Sequence, residues 1–549
     1  MKKYAFWFVC LLLLGWLTLF SFQKIDLSTA DIGRHIQNGN IFLHAAQYGV
    51  SRADLLYTNF FSYTYPSFPF INHHWGSGIL FYLIYIASGF SGLSLFYFLC
   101  IAAAFYLMIF AVREVKNSVS VWQDLPTLLL TALFLAPLVG SRVEVRPEGL
   151  SFLFLALFFF LLFRFSRDRS QNKNQNSRRR KFLYFIPLVE MLWVNTHIFF
   201  IFGVYIVGIF FFESLILRRW QKAKTLAKVL SLTALATLVS PYFISGAIYP
   251  FLIFRNYGYR IVENQSIPFL EHLSFADPNF LWYKLTLALI ILSSIFVFWK
   301  ARRNSSQNLE STSESASEKF LLAPTALALT FATLGFFGIR FIATFALFSL
   351  SVLICNFSAL KKWLSEKLAG IGNDLKIILV GGLFCLVVFG GLWQFSSRLP
   401  WNRDFGLGLQ SGELDSVNFI KENGIHGPIF NNYDIGGMII FALWPQEKVF
   451  VDNRPETYPA SFFSDIYIPM QQDSAVWQSE LQKENFNVIY FQRLDMTPWA
   501  QQFLVARVSD QAWAPVYVDS YTIIFLRRNE QNAELIKKFE LPKSMFSVK

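Results

Sequence analysis

An acid, an arginine and a histidine stand together in "DIGRHIQNGN", Asp31 to Asn40, directly after the first long apolar run. Asp31 and His35 are four residues apart, so on a helix they share one face, with Arg34 beside them. Other polar residues recur at comparable places between apolar runs. Asp54 and the "NHHW" stretch with His74 follow in the same segment, and "SRVEVRPEG" carries Arg142, Glu144, Arg146 and Glu148. "WVNTH" contributes Trp193, Asn195 and His197, the stretch after "SPY" contributes Arg260 and Glu263, and "GIRF" contributes Arg340. A carboxylate can take a proton from an acceptor hydroxyl. Guanidinium groups suit bidentate contact with a phosphate. Together these types fit transfer of a group away from a phosphate leaving group at a membrane surface. Metal-ligand spacing is weak by comparison: there is no HExxH, and the adjacent histidines of "NHHW" are predicted to point apart on a helix or a strand.

The elements that must position these residues are membrane helices. The chain has 549 residues, 54% hydrophobic and 18% aromatic, with a mean hydropathy of +0.40. Apolar runs fall near 4–22, 77–112, 124–140, 149–163, 182–217, 225–243, 280–299, 320–338, 341–357 and 376–394. Several reach the roughly 20 residues that span a bilayer. The net charge of +12 lies mainly in short loops between these runs, where it sets orientation and does not imply a nucleic-acid partner. All four cysteines lie inside apolar runs with no CxxC, which excludes a disulfide framework or zinc knuckle. The N-terminal run is longer than a signal-peptide core and lacks a small-x-small cleavage site, so it reads as an uncleaved first span with Met1 in the cytoplasm.

The basic run 164–181 should be cytoplasmic, which requires an even number of crossings before it. That holds if 77–89 lies in or dips into the outer interface and 93–112 crosses; the later basic runs 218–224, 300–303 and 361–362 then also fall inside if 182–217 is a hairpin broken near "NTH". The count is then about eleven spans, with Asp31, His35, Asp54, His74, Arg142, Glu144, Arg146, Glu148, Asn195, His197 and Arg340 all on the outer face. Ionisable groups cost roughly 2.5–3.5 kcal/mol each at mid-helix, so acids, histidines and arginines gathered from several loops on one side mark a site. Asn195 and His197 have a competing role as interhelical hydrogen-bond links. The Ser-rich stretch 304–318 reads as a disordered cytoplasmic loop. From 395 to 549 soluble patterns begin. "ELDSVNFIKENG" reads as a helix ending at Gly424, and "GPIF", "KVFVD", "NVIYF" and "APVYVDSYTIIFLRR" read as strands, giving a small extracytoplasmic α/β domain after a transmembrane domain of residues 1–394. Within it, Asp434, Asp452 and Arg454 read either as contacts to the acceptor or, in the preferred reading, as turn and cap residues.

"DIGRH", "RPEG", "WVNTH", "SPYFISGAIYP", "YDIGG" and "VFVDNRPETY" together resemble the GT-C superfamily of integral-membrane glycosyltransferases, in a bacterial branch of ArnT/PMT type with a C-terminal extension. The resemblance implies a polyprenyl-phosphate-linked sugar donor, a lipid, glycan or protein acceptor, and a fold of transmembrane helices with an outer loop, 23–92, carrying the catalytic acid. It implies Asp31 as general base and Glu148 as a second acid positioning Asp31 or a divalent ion, Mg or Mn. It gives Arg142, Arg146 or Arg340 the departing phosphate, with His35 or His74 assisting. Many relatives have paired acids after the first span, whereas here Ile32 follows Asp31. A transporter would need mid-membrane polar residues and often repeats; the charges gather at one face and no repeat is present. A lipid-linked polymer ligase or polymerase would use a large outer loop late in the membrane domain, and an envelope scaffold would leave Asp31 dispensable.

Overall fold

The computed structural model describes residues 2–112, 125–142, 144–167, 179–253, 255–307, 321–367, 373–398 and 404–546. Residues 168–178 of the basic run and 308–318 of the Ser-rich stretch therefore lie outside the described residues. Every apolar run of the sequence is helical. The principal helices are α1 (Lys2–Ser21), α2 (Ile32–Leu43), α3 (Arg52–Tyr57), α4 (Trp75–Val112), α5 (Leu125–Val139), α6 (Glu148–Ser166), α7 (Phe185–Trp193), α8 (Ile201–Ile216), α9 (Trp220–Ala236), α10 (Pro278–Gln307), α11 (Leu322–Phe337), α12 (Ile342–Lys367) and α13 (Asn373–Arg398). Among the described residues, seven helices are long and apolar enough to cross a membrane, and α5 and α11 are shorter apolar helices. α10 runs through Gln307, so the start of the Ser-rich stretch is helical where a disordered loop was expected.

Two breaks expected from the sequence have local causes. α4 changes direction at Gly89 (φ 62°, ψ −161°), a conformation open to glycine because it has no Cβ. The 182–217 run divides into α7 and α8 at Val194–His197, where the extended His197 caps the next turn by accepting from the Phe199 N–H. α13 exposes Leu379, Leu383, Leu386 and Phe389, as expected of a surface facing hydrocarbon.

The C-terminal part contains a four-stranded mixed sheet in the order β1-β2-β4-β3: β1 (Ile429–Asn431), β2 (Val488–Gln492), β3 (Trp513–Val518) and β4 (Thr522–Arg527). β1 and β2 are parallel and the other pairs antiparallel. "KVFVD" is a correction. Its residues 449–452 are buried, and among the described residues it makes an isolated bridge, Val449 to Ser62 in the segment between α3 and α4, instead of a sheet ladder. Asn431 supplies the bond a ladder would have given, its side-chain oxygen accepting from the Phe450 N–H at 2.9 Å.

α2 is the joint between the two parts. It packs against α4 on one side and on the other against α14 (Gly436–Leu443) of the C-terminal part. Glycines make both approaches: a Cβ on Gly39 would stand 2.1 Å from the Gly78 carbonyl oxygen, and one on Gly33 would stand 2.8 Å from that of Gly437. Small residues at such crossings let backbones meet. The strand-like bridges Gln23–Phe405 and Ile25–Leu409 tie the segment before α2 to the segment after α13.

Candidate active site at one end of the helix bundle

Asp31 occupies the N-cap position of α2, yet its side chain makes no capping bond. An N-cap Asp ordinarily accepts from the helix's own first N–H groups; here the carboxylate is left for other partners. It lies 3.8 Å from Arg146 Nε and keeps a fifth of its side chain exposed. Burial raises its pKa, and Arg146 and Arg34 oppose that rise. The same helix turn places Arg34 so that its Nε donates to the Asn453 side-chain oxygen of the C-terminal part at 3.2 Å.

The loop between α5 and α6 supplies Arg142, Glu144, Arg146 and Glu148, and each is ion-paired. Arg142 Nε donates to Glu148 Oε2 at 2.9 Å, and Arg146 pairs with Glu144. Both arginines then converge on Glu263. Its Oε1 takes Arg142 NH1 at 2.9 Å and Arg146 NH1 at 2.7 Å. Its Oε2 takes Arg142 NH2 at 3.2 Å and Arg340 NH2 at 3.1 Å. Three guanidinium groups thus share one carboxylate and hold it well below the usual range despite burial. Glu148 meets Arg142; the family resemblance had implied that it positions Asp31 or a divalent ion. Sequence reasoning named Glu263 among the polar residues between the apolar runs but gave it no role, because its pairing with arginines from two other loops leaves no local signal.

Above the arginines stand four histidines. His73 and His74 have ring centroids 3.9 Å apart, and His74 lies 5.2 Å from His35 and 5.4 Å from His197. The expectation that the "NHHW" histidines point apart is corrected, because the pair sits in the turn before α4, outside the geometry of a helix or strand. Burial, reinforced by neighbouring arginines and imidazoles, holds His35 and His74 well below the normal range, and His73 at about 4, so all three are neutral. His197 Nδ1 pairs with Ser151 Oγ at 2.8 Å.

Other expected residues fall elsewhere. Asn195 accepts from Trp75 Nε1 and donates to the carbonyls of Met191 and Val239, linking α4, α7 and the end of α9. Asp54 is exposed in the first turn of α3. Arg260 is exposed over the Phe269 ring. Asp452 and Arg454 form a buried pair at 2.6 Å, with Arg454 also donating to Asn59, so they fasten the C-terminal part to the first outer segment. Asp434 is raised to about 8, by burial and then by Asp495 and Asp31. Among the described residues no group of three or more His, Cys, Asp or Glu could hold a metal ion. Of the acids of the site, Glu144, Glu148 and Glu263 are each held closely by an arginine.

No protein-family model and no curated protein matches the chain. Solved structures do. The archaeal oligosaccharyltransferase AglB from Archaeoglobus fulgidus, in complex with an inhibitory peptide and a dolichol-phosphate, matches at TM-score 0.59 and 11% identity, over 95% of this chain and 74% of that one. The Archaeoglobus fulgidus oligosaccharyltransferase tethered to an acceptor peptide with the NVT sequon gives 0.59 and 11%, over 96% and 75%. Its complex with Zn and sulfate gives 0.56 and 11%, over 94% and 73%. The chains share a fold. The likeness runs over nearly the whole of this chain and so extends through the C-terminal part.

Proposed function

We propose that the chain transfers a hexosyl or pentosyl group from a polyprenyl-phosphate carrier to an envelope acceptor (lipid, glycan or protein) at the outer face of the cytoplasmic membrane. In this reading the N-terminus is cytoplasmic, about eleven segments span the bilayer, and residues 395–549 are extracytoplasmic. The neighbour bound to a dolichol-phosphate and a peptide supports a lipid-linked donor and a separate acceptor. The observation that carries the proposal is the partly exposed Asp31 carboxylate, free of capping duty and set beside three convergent arginines.

Asp31 takes the proton of the acceptor hydroxyl, and burial makes its carboxylate a better base than an exposed one. The acceptor oxygen bonds to the anomeric carbon as the bond to the phosphate oxygen breaks, and the phosphate leaves with the electron pair. Arg142, Arg146 and Arg340 receive that charge, with Glu148 holding Arg142 in orientation. Neutral His35 and His74 can hydrogen-bond the sugar without adding charge. Attack opposite the leaving group through an oxocarbenium-like state inverts the anomeric centre.

The test is a mass profile of glycans and lipid-linked sugars from a deletion strain restored with wild type or with Asp31→Asn. The expected result is that wild type restores a lost sugar and Asp31→Asn, equally expressed, falls short by about 100-fold or more, within the range of general-base catalysis. Equal restoration would remove Asp31 from the chemistry and favour a scaffold or transporter.

A further inference from the structure

Glu263 sits where an incoming phosphate would have to sit. Each of its two oxygens takes two guanidinium nitrogens, from Arg142, Arg146 and Arg340, at 2.7 to 3.2 Å. Two further donors, Arg146 Nε and Arg340 Nε, are buried with no hydrogen-bond acceptor among the described residues. Charge count sharpens the point. The cations Arg142, Arg146 and Arg340 are paired with the anions Glu144, Glu148 and Glu263, so these ion pairs balance as they stand. A phosphate brings one or two negative charges into partly buried space, where unbalanced charge is costly. It can take those guanidinium groups only if a carboxylate gives them up.

We infer that Glu263 is an internal stand-in for the donor phosphate, and that the donor binds by displacing it from the three arginines. This rests on the reading of the arginines as a phosphate seat and adds the identity of the group that yields. Among the four acids Glu263 is the one placed to move. Glu148 is buried in the first turn of the long helix α6, Asp31 is fixed at the N-cap position of the buried helix α2, and Glu144 is paired with Arg146. Glu263 lies on a single 3-10 turn, Val262–Asn264, in the irregular connection before α10. Its neighbour Val262 is half exposed. Beside the arginines, its turn is tethered by the Ile339 N–H donating to the Gln265 carbonyl at 3.2 Å. Exchange of one anion for another keeps the arginines paired in both states, so the seat stays closed to cations and neutral lipids and opens to a phosphate.

The experiment uses the full chain in lipid nanodiscs, titrated with farnesyl phosphate or inorganic phosphate, as wild type and as Glu263→Gln. Removing the competitor should tighten farnesyl phosphate binding about ten-fold or more, and should raise inorganic phosphate affinity in parallel if the headgroup alone is recognised. Tightening for farnesyl phosphate only would assign the seat to a lipid headgroup and still support the displacement. In a Val262→Cys, Cys385→Ser chain, farnesyl phosphate should increase maleimide labelling at position 262; this readout stands even if Glu263→Gln misfolds. Unchanged or weaker binding by a folded Glu263→Gln, with wild type binding normally, would overturn the displacement and make Glu263 a positioning residue for the arginines. Failure of both proteins to bind farnesyl phosphate would overturn the phosphate seat itself, and the displacement with it.

Discussion

The two ends of the helix bundle each hold arginine and glutamate, and they are built differently. At the end away from Asp31, Glu213 of α8 is 1% exposed and accepts from Ser166 Oγ at 2.6 Å, Arg167 NH2 at 2.8 Å and the Ala323 N–H at 3.2 Å. One acid there is served by one arginine, a hydroxyl and a backbone amide, and it joins α6, α8 and the start of α11. At the Asp31 end, one acid is shared by three arginines whose side chains are 14% to 17% exposed. The first arrangement gathers three donors on one fully buried acid and works as a staple. The second gathers three arginines on one acid and keeps access to solvent, which is what a site for an external anion requires.

Paired substitutions sharpen that contrast. Arg167→Ala strands the buried Glu213 and should cost about 3–5 kcal/mol of stability, read as a large drop in thermal unfolding temperature, with transfer per folded molecule retained. Arg340→Ala should do the reverse: transfer falls by about 100-fold, as for loss of one charge-stabilising donor, while Glu263 keeps two arginines and stability changes by about 1 kcal/mol or less. If both substitutions act on stability alone, the distinction between the ends collapses.

A smaller effect concerns pH. Asp434 has its folded pKa raised to about 8, above the ordinary carboxylate value near 4. Between those values the folded form holds the proton and the unfolded form does not, so stability falls as pH rises through the window. Asp434→Asn should flatten that slope in thermal unfolding measured from pH 5 to 8. Smallest of all, Asp54→Asn on the exposed face of α3 should leave both transfer and stability within about 0.5 kcal/mol of wild type.

The helices were legible because membrane spans announce themselves by length and apolarity, and both chain breaks were visible as "GFSG" and "NTH" in otherwise apolar runs. Asp31, Arg142, Arg146 and Arg340 were legible for a related reason: charge beside a span is costly and therefore stands out. What escaped depends on tertiary contact. Glu263 lies 117 residues from Arg146 and 77 from Arg340, and no local pattern shows that one carboxylate serves both. The close approach of His73 and His74 depends on a turn that periodicity does not describe. "KVFVD" has strand composition, but its neighbours are an asparagine side chain and an outer segment nearly 400 residues earlier, contacts that alternation does not encode.

The wedging of α2 between α4 and α14 also bears on how the protein is made. The ribosome delivers the helix carrying Asp31 well before its cover: Asn453, the partner of Arg34, follows 419 residues afterwards. Until then α2 lacks its packing against α14, and Arg34 lacks its partner across the joint. Maturation is thus timed by translation itself, and a chain released early would carry the acid without the frame that aims it.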